Sequence, residues 1–324
     1  MQRRLLLAGM GAALARPAIV QAQSEWPGTR PVRIIQPSQA GSPADVYARL
    51  YAEHFSRATG GTFVVENRVG GTGTIGTAAL LQAPHDGWTL LFTSNTSHVA
   101  APLVLRNLTY DPVRDFTAIA GLYHYGMMLI VNPQIPARTT AEFINWGKSR
   151  RQGVNMASVG LGSVGHMTAE RFYLRAGFQR VHIPYRGGPS AILALSQGEC
   201  DYIFDNIGNS GAFIREGRLR GLSLTGRQRA PQMPEIPTLI EEGMPDFTQD
   251  VWFGVWGPAG MPRAIVERVN AESNRWLNTP DIRARMAQSA HQNLEGPPAR
   301  MHEYWMEDRR LWTDIVREVG ASLE

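Results

Sequence analysis

Two short glycine arrays are the first residues in this chain whose spacing suggests chemistry. "ASVGLGSVGH" (157–166) and "GTGTIG" (71–76) each contain the pattern G-x-G-x-x-G. A dinucleotide site also needs an acidic residue about 20 positions further on, at the end of the next strand. After Gly165 that zone reads "HIPYRGG" without an acid, and after Gly76 it holds only Asp86, in a predicted turn before a strand. We therefore exclude a dinucleotide site at both arrays.

A catalytic serine turn is excluded by similar reasoning. That turn requires G-x-S-x-G, and Leu161 stands two residues before Ser163. What remains is a glycine-rich turn leading into a helix, which presents backbone N–H groups and a positive dipole end to an anion. Four stretches have this character: "PSQAGSPAD", "FTSNTSH", "ASVGLGSVGH" and "PYRGGPS".

The elements that must position these turns alternate between strands and helices. "VRIIQ" (32–36) predicts a strand, and Ser42 with Asp45 predicts a capping box for a helix that ends near Gly60. That helix is expected to bury Val46, Leu50, Tyr51 and Phe55 on one face. The same alternation continues to about residue 225, which predicts an α/β fold with largely parallel sheets, followed by a mostly helical C-terminus from about Pro262. In open α/β sheets such turns line a cleft at the carboxyl ends of the strands.

The N-terminal segment 1–22 predicts an export signal. Arg3 and Arg4 precede a short apolar run, and Ala22 suits a cleavage site before Gln23. Sec and twin-arginine export both remain open. Without Arg3, Arg4 and Arg16 the charges fall from 32 basic and 28 acidic to 29 − 28 = +1. The charge balance therefore does not indicate nucleic-acid binding.

Metal and disulfide chemistry are not expected. Cys200 is the only cysteine, and the histidines show no metal-ligand spacing. We predict no metal and no cofactor, with Cys200 as a buried small apolar residue.

Several longer motifs together resemble the solute receptors of the tripartite tricarboxylate transporter type, the Bug proteins. The matching stretches include "VRIIQPSQAGSPAD", "VVENRVGGTGTIG", "HDGWTLLFTS", "YDPVRDF", "HIPYRGG", "FDNIGNS", "PTLIEEG" and "WFGVWGPAGMP", in the family's order across nearly the whole chain. The resemblance implies a type II periplasmic-binding-protein fold, with residues 23–126 and 253–324 in one lobe and 127–252 in the other.

The resemblance also implies a function. We expect a periplasmic, monomeric, non-enzymatic receptor that binds a small carboxylate between the lobes and delivers it to a membrane permease. Two alternatives stay open: a secreted enzyme acting on a small carboxylate, and a receptor that feeds a sensor kinase. No residues supply an ordered nucleophile, base and orienting group.

The expected ligand-binding residues belong to the turns and to one strand end. They are Ser38, Ala40, Gly41, Ser42, Asp45, Thr93, Ser94, Ser158, Gly162, Ser163, His166, Tyr185 and Asp205. For several of these a structural role is an equal alternative: capping for Asp45, buttressing the turn for His166, and fixing the hinge for Asp205. Arg186 either closes over a carboxylate or is a solvated loop cation. Ser163 is expected both to cap its helix and to donate to the ligand.

One departure from the family pattern affects the first turn. The family has glycines and a threonine before the aspartate, whereas this chain has Ser42, Pro43 and Ala44. Because proline has no amide donor, we expect a weaker first turn and assign the main carboxylate contact to Gly162 and Ser163.

Overall fold

The predicted α/β class is confirmed. The structure is a computed structural model that describes residues 26–320. The predicted signal segment and the start at Gln23 lie outside the described residues. Within that range the strands are β1 (Val32–Gln36), β2 (Phe63–Asn67), β3 (Thr89–Ser94), β4 (Phe116–Gly126), β5 (Met128–Val131), β6 (Val154–Ser158), β7 (Arg180–Pro184), β8 (Tyr202–Asp205), β9 (Arg220–Leu224), β10 (Asp250–Pro258) and β11 (Gln292–Asn293).

Helices alternate with these strands as the sequence predicts. They are α1 (Pro43–Thr59), α2 (Thr74–Leu80), α3 (Ala101–Val104), α4 (Thr140–Ser149), α5 (Val164–Ala176), α6 (Gly188–Gln197), α7 (Ile207–Arg215), α8 (Arg263–Leu277), α9 (Pro280–Gln288) and α10 (Pro298–Val319). A 3-10 turn at Gly71–Gly73 precedes α2, and a π-helical turn at Thr96–Ala100 precedes α3.

Two sheets divide the described chain. The first has the order β11–β4–β10–β3–β1–β2, and the second has the order β7–β6–β8–β5–β9. β1 is parallel to β2 and β3, while β10 is antiparallel to β3 and β4. We call the first sheet with its helices the first lobe, and the second sheet with its helices the second lobe.

The chain crosses between the lobes at two adjacent places. Met127 joins β4 to β5, and the return passes from β9 towards β10. The Met127 amide donates to Thr225 Oγ1 at 2.8 Å, and Thr225 Oγ1 in turn donates to the Gln249 carbonyl at 2.5 Å. The two crossings are thus tied together. The predicted boundary after residue 126 coincides with the end of β4, whereas the one after residue 252 falls inside β10; the division into 23–126, 127–252 and 253–324 stays a prediction.

Helix α1 shows how local sequence signals set an element. Ser42 accepts from the Asp45 amide at 3.3 Å, and Gly60 ends the helix in the left-handed region with φ of 70°. In a full capping box the Asp45 carboxylate would accept from the amide of the N-cap residue, Ser42. Here Asp45 Oδ2 accepts instead from the amide of the preceding residue, Gly41, at 2.9 Å. The predicted buried face was wrong at Val46, which is 41% exposed, because Tyr47 and not Val46 turns towards the sheet.

Candidate functional site

A cavity of about 690 Å³ lies between the two sheets. All four predicted turns reach it: Ser38 and Gln39 follow β1, Ser94 ends β3, Gly160 follows β6, and residues 185–188 follow β7. A fifth segment, the turn 70–73, completes the rim on the first lobe. The strand ends of both sheets therefore converge on one site, as expected for a cleft of this fold class.

Six of the predicted ligand-binding residues line this cavity. They are Ser38, Ser42, Thr93, Ser94, Tyr185 and Asp205. The other seven do not appear among its lining residues: Ala40, Gly41, Asp45, Ser158, Gly162, Ser163 and His166. The ligand-binding role of all thirteen stays a prediction.

Asp45 is held within the first turn and not aimed at the cavity. Its carboxylate accepts from the Gly41 amide, from Arg49 Nε at 3.0 Å and from Asn67 Nδ2 at 2.8 Å. Burial alone would raise the pKa of Asp45, but these donors and the Arg49 charge bring the pKa below its usual value. The arrangement favours the capping role that the sequence left as an alternative.

The first turn still presents hydroxyls to the cavity. Ser38 donates from its amide and hydroxyl to Gln36 Oε1 at 2.5 and 2.8 Å, and its hydroxyl lies 3.2 Å from that of Ser42. Pro43 and Ala44 line the cavity beside them. This turn therefore presents serine hydroxyls and apolar side chains to the cavity, whereas a run of glycines would present backbone amides.

Side-chain hydrogen bonds and ring packing hold the second-lobe turn at 158–166 in place. Ser163 is fully buried, and its hydroxyl accepts from the His166 amide at 3.2 Å, which confirms the predicted N-cap. His166 Nδ1 accepts from the Gly162 amide at 3.2 Å. Ser158 Oγ lies 2.7 Å from His182 Nε2, and the two histidine rings pack 4.1 Å apart. These contacts fix the turn without placing the Ser163 side chain in the cavity lining.

Glu170 adds a charged contact to the residues that hold this turn. Its carboxylate contacts His166 Nε2 at 3.4 Å and Arg180 at 2.5 Å. Burial opposes ionisation of Glu170, yet the two basic partners leave its pKa lowered. Burial also lowers the pKa of His182 to about 4, so that its imidazole is neutral at pH 7.

Positive charge at the cavity is sparse. Among the described lining residues Arg186 is the one lysine or arginine, and its side chain is exposed. Tyr185 lies beside it and is half-buried. Any strong attraction for an anion must therefore come mainly from turn amides, hydroxyls and helix N-termini.

Asp205 stands at the end of β8, in the same lobe as Tyr185 and Arg186. It is 7% exposed, and burial raises its pKa to about 6 although Asn206 and Asn209 donate hydrogen bonds to it. His291, which the sequence only excluded as a metal ligand, lines the same cavity. Burial lowers the pKa of His291 to about 3, so the ring is neutral.

Several lining residues were missed from the sequence. The largest are the aromatic side chains Tyr123, Tyr125 and Phe253, which come from β4 and β10. β4 was not predicted, and its partner β10 lies more than a hundred residues away in the chain. No local signal identifies these side chains as cavity residues. The turn at 70–73 also lines the cavity and was not among the expected ligand-binding residues.

Metal chemistry finds no support in this arrangement. Across residues 26–320, no three or more His, Cys, Asp or Glu side chains are grouped so as to hold a metal ion. Over the same range, no helix is long and apolar enough to span a bilayer.

The family model described as "Tripartite tricarboxylate transporter family receptor" matches residues 47–321. The chain belongs to this receptor family. It is 30% identical to Protein BugT of Bordetella pertussis, over 100% of this chain and 99% of BugT. The resemblance to the Bug proteins is thereby confirmed.

Solved structures of similar receptors share the fold. The R. palustris protein Rpa4515 with adipate has a TM-score of 0.88 and 28% identity, covering 93% of this chain and 100% of that chain. The periplasmic binding protein BugD has a TM-score of 0.86 and 28% identity, covering 91% and 99%. MatC from Rhodopseudomonas palustris with bound malate has a TM-score of 0.84 and 29% identity, covering 89% and 99%. The receptor has the predicted two-lobed binding-protein fold.

Proposed function

We propose that this receptor captures a small carboxylate in the periplasm and delivers it to a membrane permease. The observation that carries the proposal is the convergence of four glycine-rich or hydroxyl-bearing turns on one interlobe cavity. Turns of this kind bind anions through amides, hydroxyls and the positive ends of helices. Solved relatives of similar sequence hold adipate and malate, two carboxylates of different length.

A binding role fits the cavity better than an enzymatic one. Ser158 and His182 form the one close serine–histidine side-chain pair in residues 26–320, and neither lines the cavity. The lining histidine, His291, has no serine hydroxyl on either ring nitrogen. The described cavity residues thus lack the paired nucleophile and base that covalent catalysis requires.

Calorimetric titration with mono-, di- and tricarboxylates tests the binding part of the proposal. A carboxylate that binds should be recovered unchanged, and at about 100 times its Kd it should stabilise the protein by roughly 2.7 kcal/mol. Ligand released from natively purified protein, identified by mass spectrometry, names the compound. Turnover of the bound carboxylate would instead favour the enzyme alternative.

Separate experiments test where the receptor is located in the cell and whether it serves a permease or a sensor kinase. N-terminal sequencing of protein from the periplasmic fraction should begin near Gln23, and an intact Met1 in the cytoplasm would contradict export. Uptake of the labelled ligand by vesicles carrying the permease should require the receptor. Ligand-dependent phosphorylation of a sensor kinase without uptake would support the alternative output.

A further inference from the structure

A second cavity of about 560 Å³ lies beside the interlobe cavity, and we call it the outer groove. It runs between Val46 and Leu50 on α1 of the first lobe and Ile192, Leu193 and Phe213 on α6 and α7 of the second lobe. The last turn of α9 also contributes side chains to its lining. Its volume is within the range of about 300–1,000 Å³ that is typical of small-molecule sites.

Aromatic rings separate the outer groove from the interlobe cavity. Tyr47 lines the groove, whereas Tyr123 and His291 line the interlobe cavity. The ring centre of Tyr47 lies 4.8 Å from that of Tyr123 and 5.3 Å from that of His291. Pro43 and Asn209 line both cavities. The outer groove is thus a distinct space that adjoins the site for the cleft ligand.

The lining of the outer groove is apolar on the sides of α1, α6 and α7. Val46 is 41% exposed and Leu193 is 47% exposed, so large apolar side chains border the groove in contact with water. Arg285, on the last turn of α9, is the one charged side chain among the described lining residues. An occupant that complements the groove therefore has an apolar body and a single negative charge.

Tyr47 adds an unused hydrogen-bond donor close to Arg285. The residue is 5% exposed, and its hydroxyl oxygen is buried without a hydrogen-bond partner in residues 26–320. Burial raises the pKa of Tyr47 to about 12, although Ser289 and the Arg285 charge lie close enough to oppose the rise. A buried hydroxyl without a partner costs stability, and an anion beside Arg285 would supply the acceptor that it lacks.

We propose that the outer groove is a second binding site, for a free amphipathic organic anion such as an alkyl carboxylate. The alkyl chain lies against α1, α6 and α7, and the anionic group lies against Arg285 and the Tyr47 hydroxyl. A neutral chain would leave Arg285 without a partner, and a short anion would leave the apolar lining in water. This site does not rest on the function proposed for the interlobe cavity.

Chain length and charge can be tested on the wild-type protein. Calorimetric titration with butanoate, hexanoate and octanoate should show about tenfold tighter binding for each added pair of methylenes, because each one buries more apolar area. Octanamide, which has the same chain without the charge, should bind about fivefold more weakly than octanoate or worse.

Arg285→Glu locates the anionic group. The variant should weaken octanoate binding by about fivefold or more and leave octanamide binding unchanged. Arg283→Glu is the matched control, since Arg283 is an exposed arginine of the same helix outside the groove lining. It should bind octanoate as the wild type does.

Tyr47→Phe removes the hydroxyl and keeps the ring. Because this hydroxyl has no partner to lose, the variant should be at least as stable as the wild type, yet bind octanoate about tenfold more weakly. Tyr51→Phe is the matched control on the same helix, where the hydroxyl lies 2.7 Å from Ser273 Oγ. That variant should lose stability and keep its affinity for octanoate.

Four results would overturn the inference. Octanoate does not bind the wild-type protein, or it binds Arg285→Glu or Tyr47→Phe as tightly as the wild type. Phosphatidylglycerol vesicles, but not octanoate, bind in a manner that depends on Arg285, which would assign the groove to a membrane surface. The wild type sediments as a dimer that Arg285→Glu dissociates, which would assign the groove to a second copy of the chain. None of these results bears on carboxylate capture in the interlobe cavity.

Discussion

Thr72 Oγ1 donates a hydrogen bond of 2.7 Å to the carbonyl oxygen of Leu161. Thr72 belongs to the first lobe and Leu161 to the second, so this bond spans the mouth of the cleft. Thr96 Oγ1 accepts from the Val164 amide at 3.4 Å, a second and longer bond between the same lobes. Both bonds join the two lobes, so each stabilises the arrangement in which the lobes lie close together.

Thr72→Val should weaken ligand binding by about two- to twelvefold. The substitution keeps the shape and removes one hydrogen bond, worth about 0.5–1.5 kcal/mol, from the closed form alone. Calorimetric titration measures the effect, with Thr72→Ser as the control that retains the hydroxyl. Equal affinity of the valine variant and the wild type would show that this bond does not favour closure.

Gly187→Ala tests closure from the other side of the cleft. A Cβ at Gly187 would lie 2.7 Å from Gln39 Oε1 in the opposite lobe. The backbone of Gly187 is extended, with φ of 168°, so alanine adds no local strain. A ligand that favours the closed form should then bind less tightly.

A second substitution tests the cause of the effect expected for Gly187→Ala. Gln39→Ala removes the obstructing side chain, so the double variant should recover affinity relative to Gly187→Ala. A rescue that fails would place the effect of the added methyl group within the second lobe itself.

Ser42→Ala and Ser163→Ala should differ in their effect on binding. Each serine caps a helix, so each variant should lose about 1 kcal/mol of stability, measured by denaturant unfolding. Ser42 lines the cavity and Ser163 does not. We therefore expect Ser42→Ala to lose affinity and Ser163→Ala to bind nearly as the wild type, which revises the expectation from sequence. Loss of affinity at Ser163 alone would restore the second-lobe anchor.

Asp308 makes stability depend on pH. This α10 residue accepts from Trp252 Nε1 at 2.7 Å and from Asn95 at 3.1 Å, and burial, with the nearby Asp250 charge, raises its pKa from 3.8 to about 7. Because the folded pKa exceeds the unfolded one, the contribution of Asp308 is complete below about pH 4 and is lost as pH rises to 7.

Asp308→Asn should reduce that loss. Between pH 5 and pH 8 the wild-type free energy of unfolding should fall relative to the variant by at most about 3 kcal/mol, since one pKa unit corresponds to about 1.4 kcal/mol. Urea unfolding of both proteins at the two pH values measures the difference. Parallel pH dependence would mean that Asp308 is ionised throughout.

Local signals predicted much of the fold. Ser42 and Gly60 mark the ends of α1 because capping depends on residues next to the helix. β4 was missed because "FTAIAGLYHYG" has no regular alternation, and its place is set by pairing with β10. Helix α7 was missed because Gly208 and Gly211 lower its intrinsic helix propensity.

The site likewise contains residues that local sequence could predict and residues that it could not. Turn residues such as Ser38, Ser94 and Tyr185 could be predicted, since each ends or follows a recognisable strand and precedes a helix. His291 could not, because it directly precedes β11, whose position is set by pairing with β4, more than 150 residues earlier in the chain. Ser163 caps its helix as predicted, and its second role as a ligand donor stays a prediction, because a capping serine and a ligand-donating serine occupy the same position in the pattern.

The position of β10 has a consequence for how the chain acquires its structure. All the strands of the second sheet come from residues 128–224, one continuous stretch, so this sheet can form as soon as that stretch is available. The first sheet lacks a strand between β3 and β4 until residue 250 arrives. Its completion requires contacts of long sequence separation, which slow folding. During synthesis the inserted lobe can therefore mature first, while the lobe that begins the described chain is finished last.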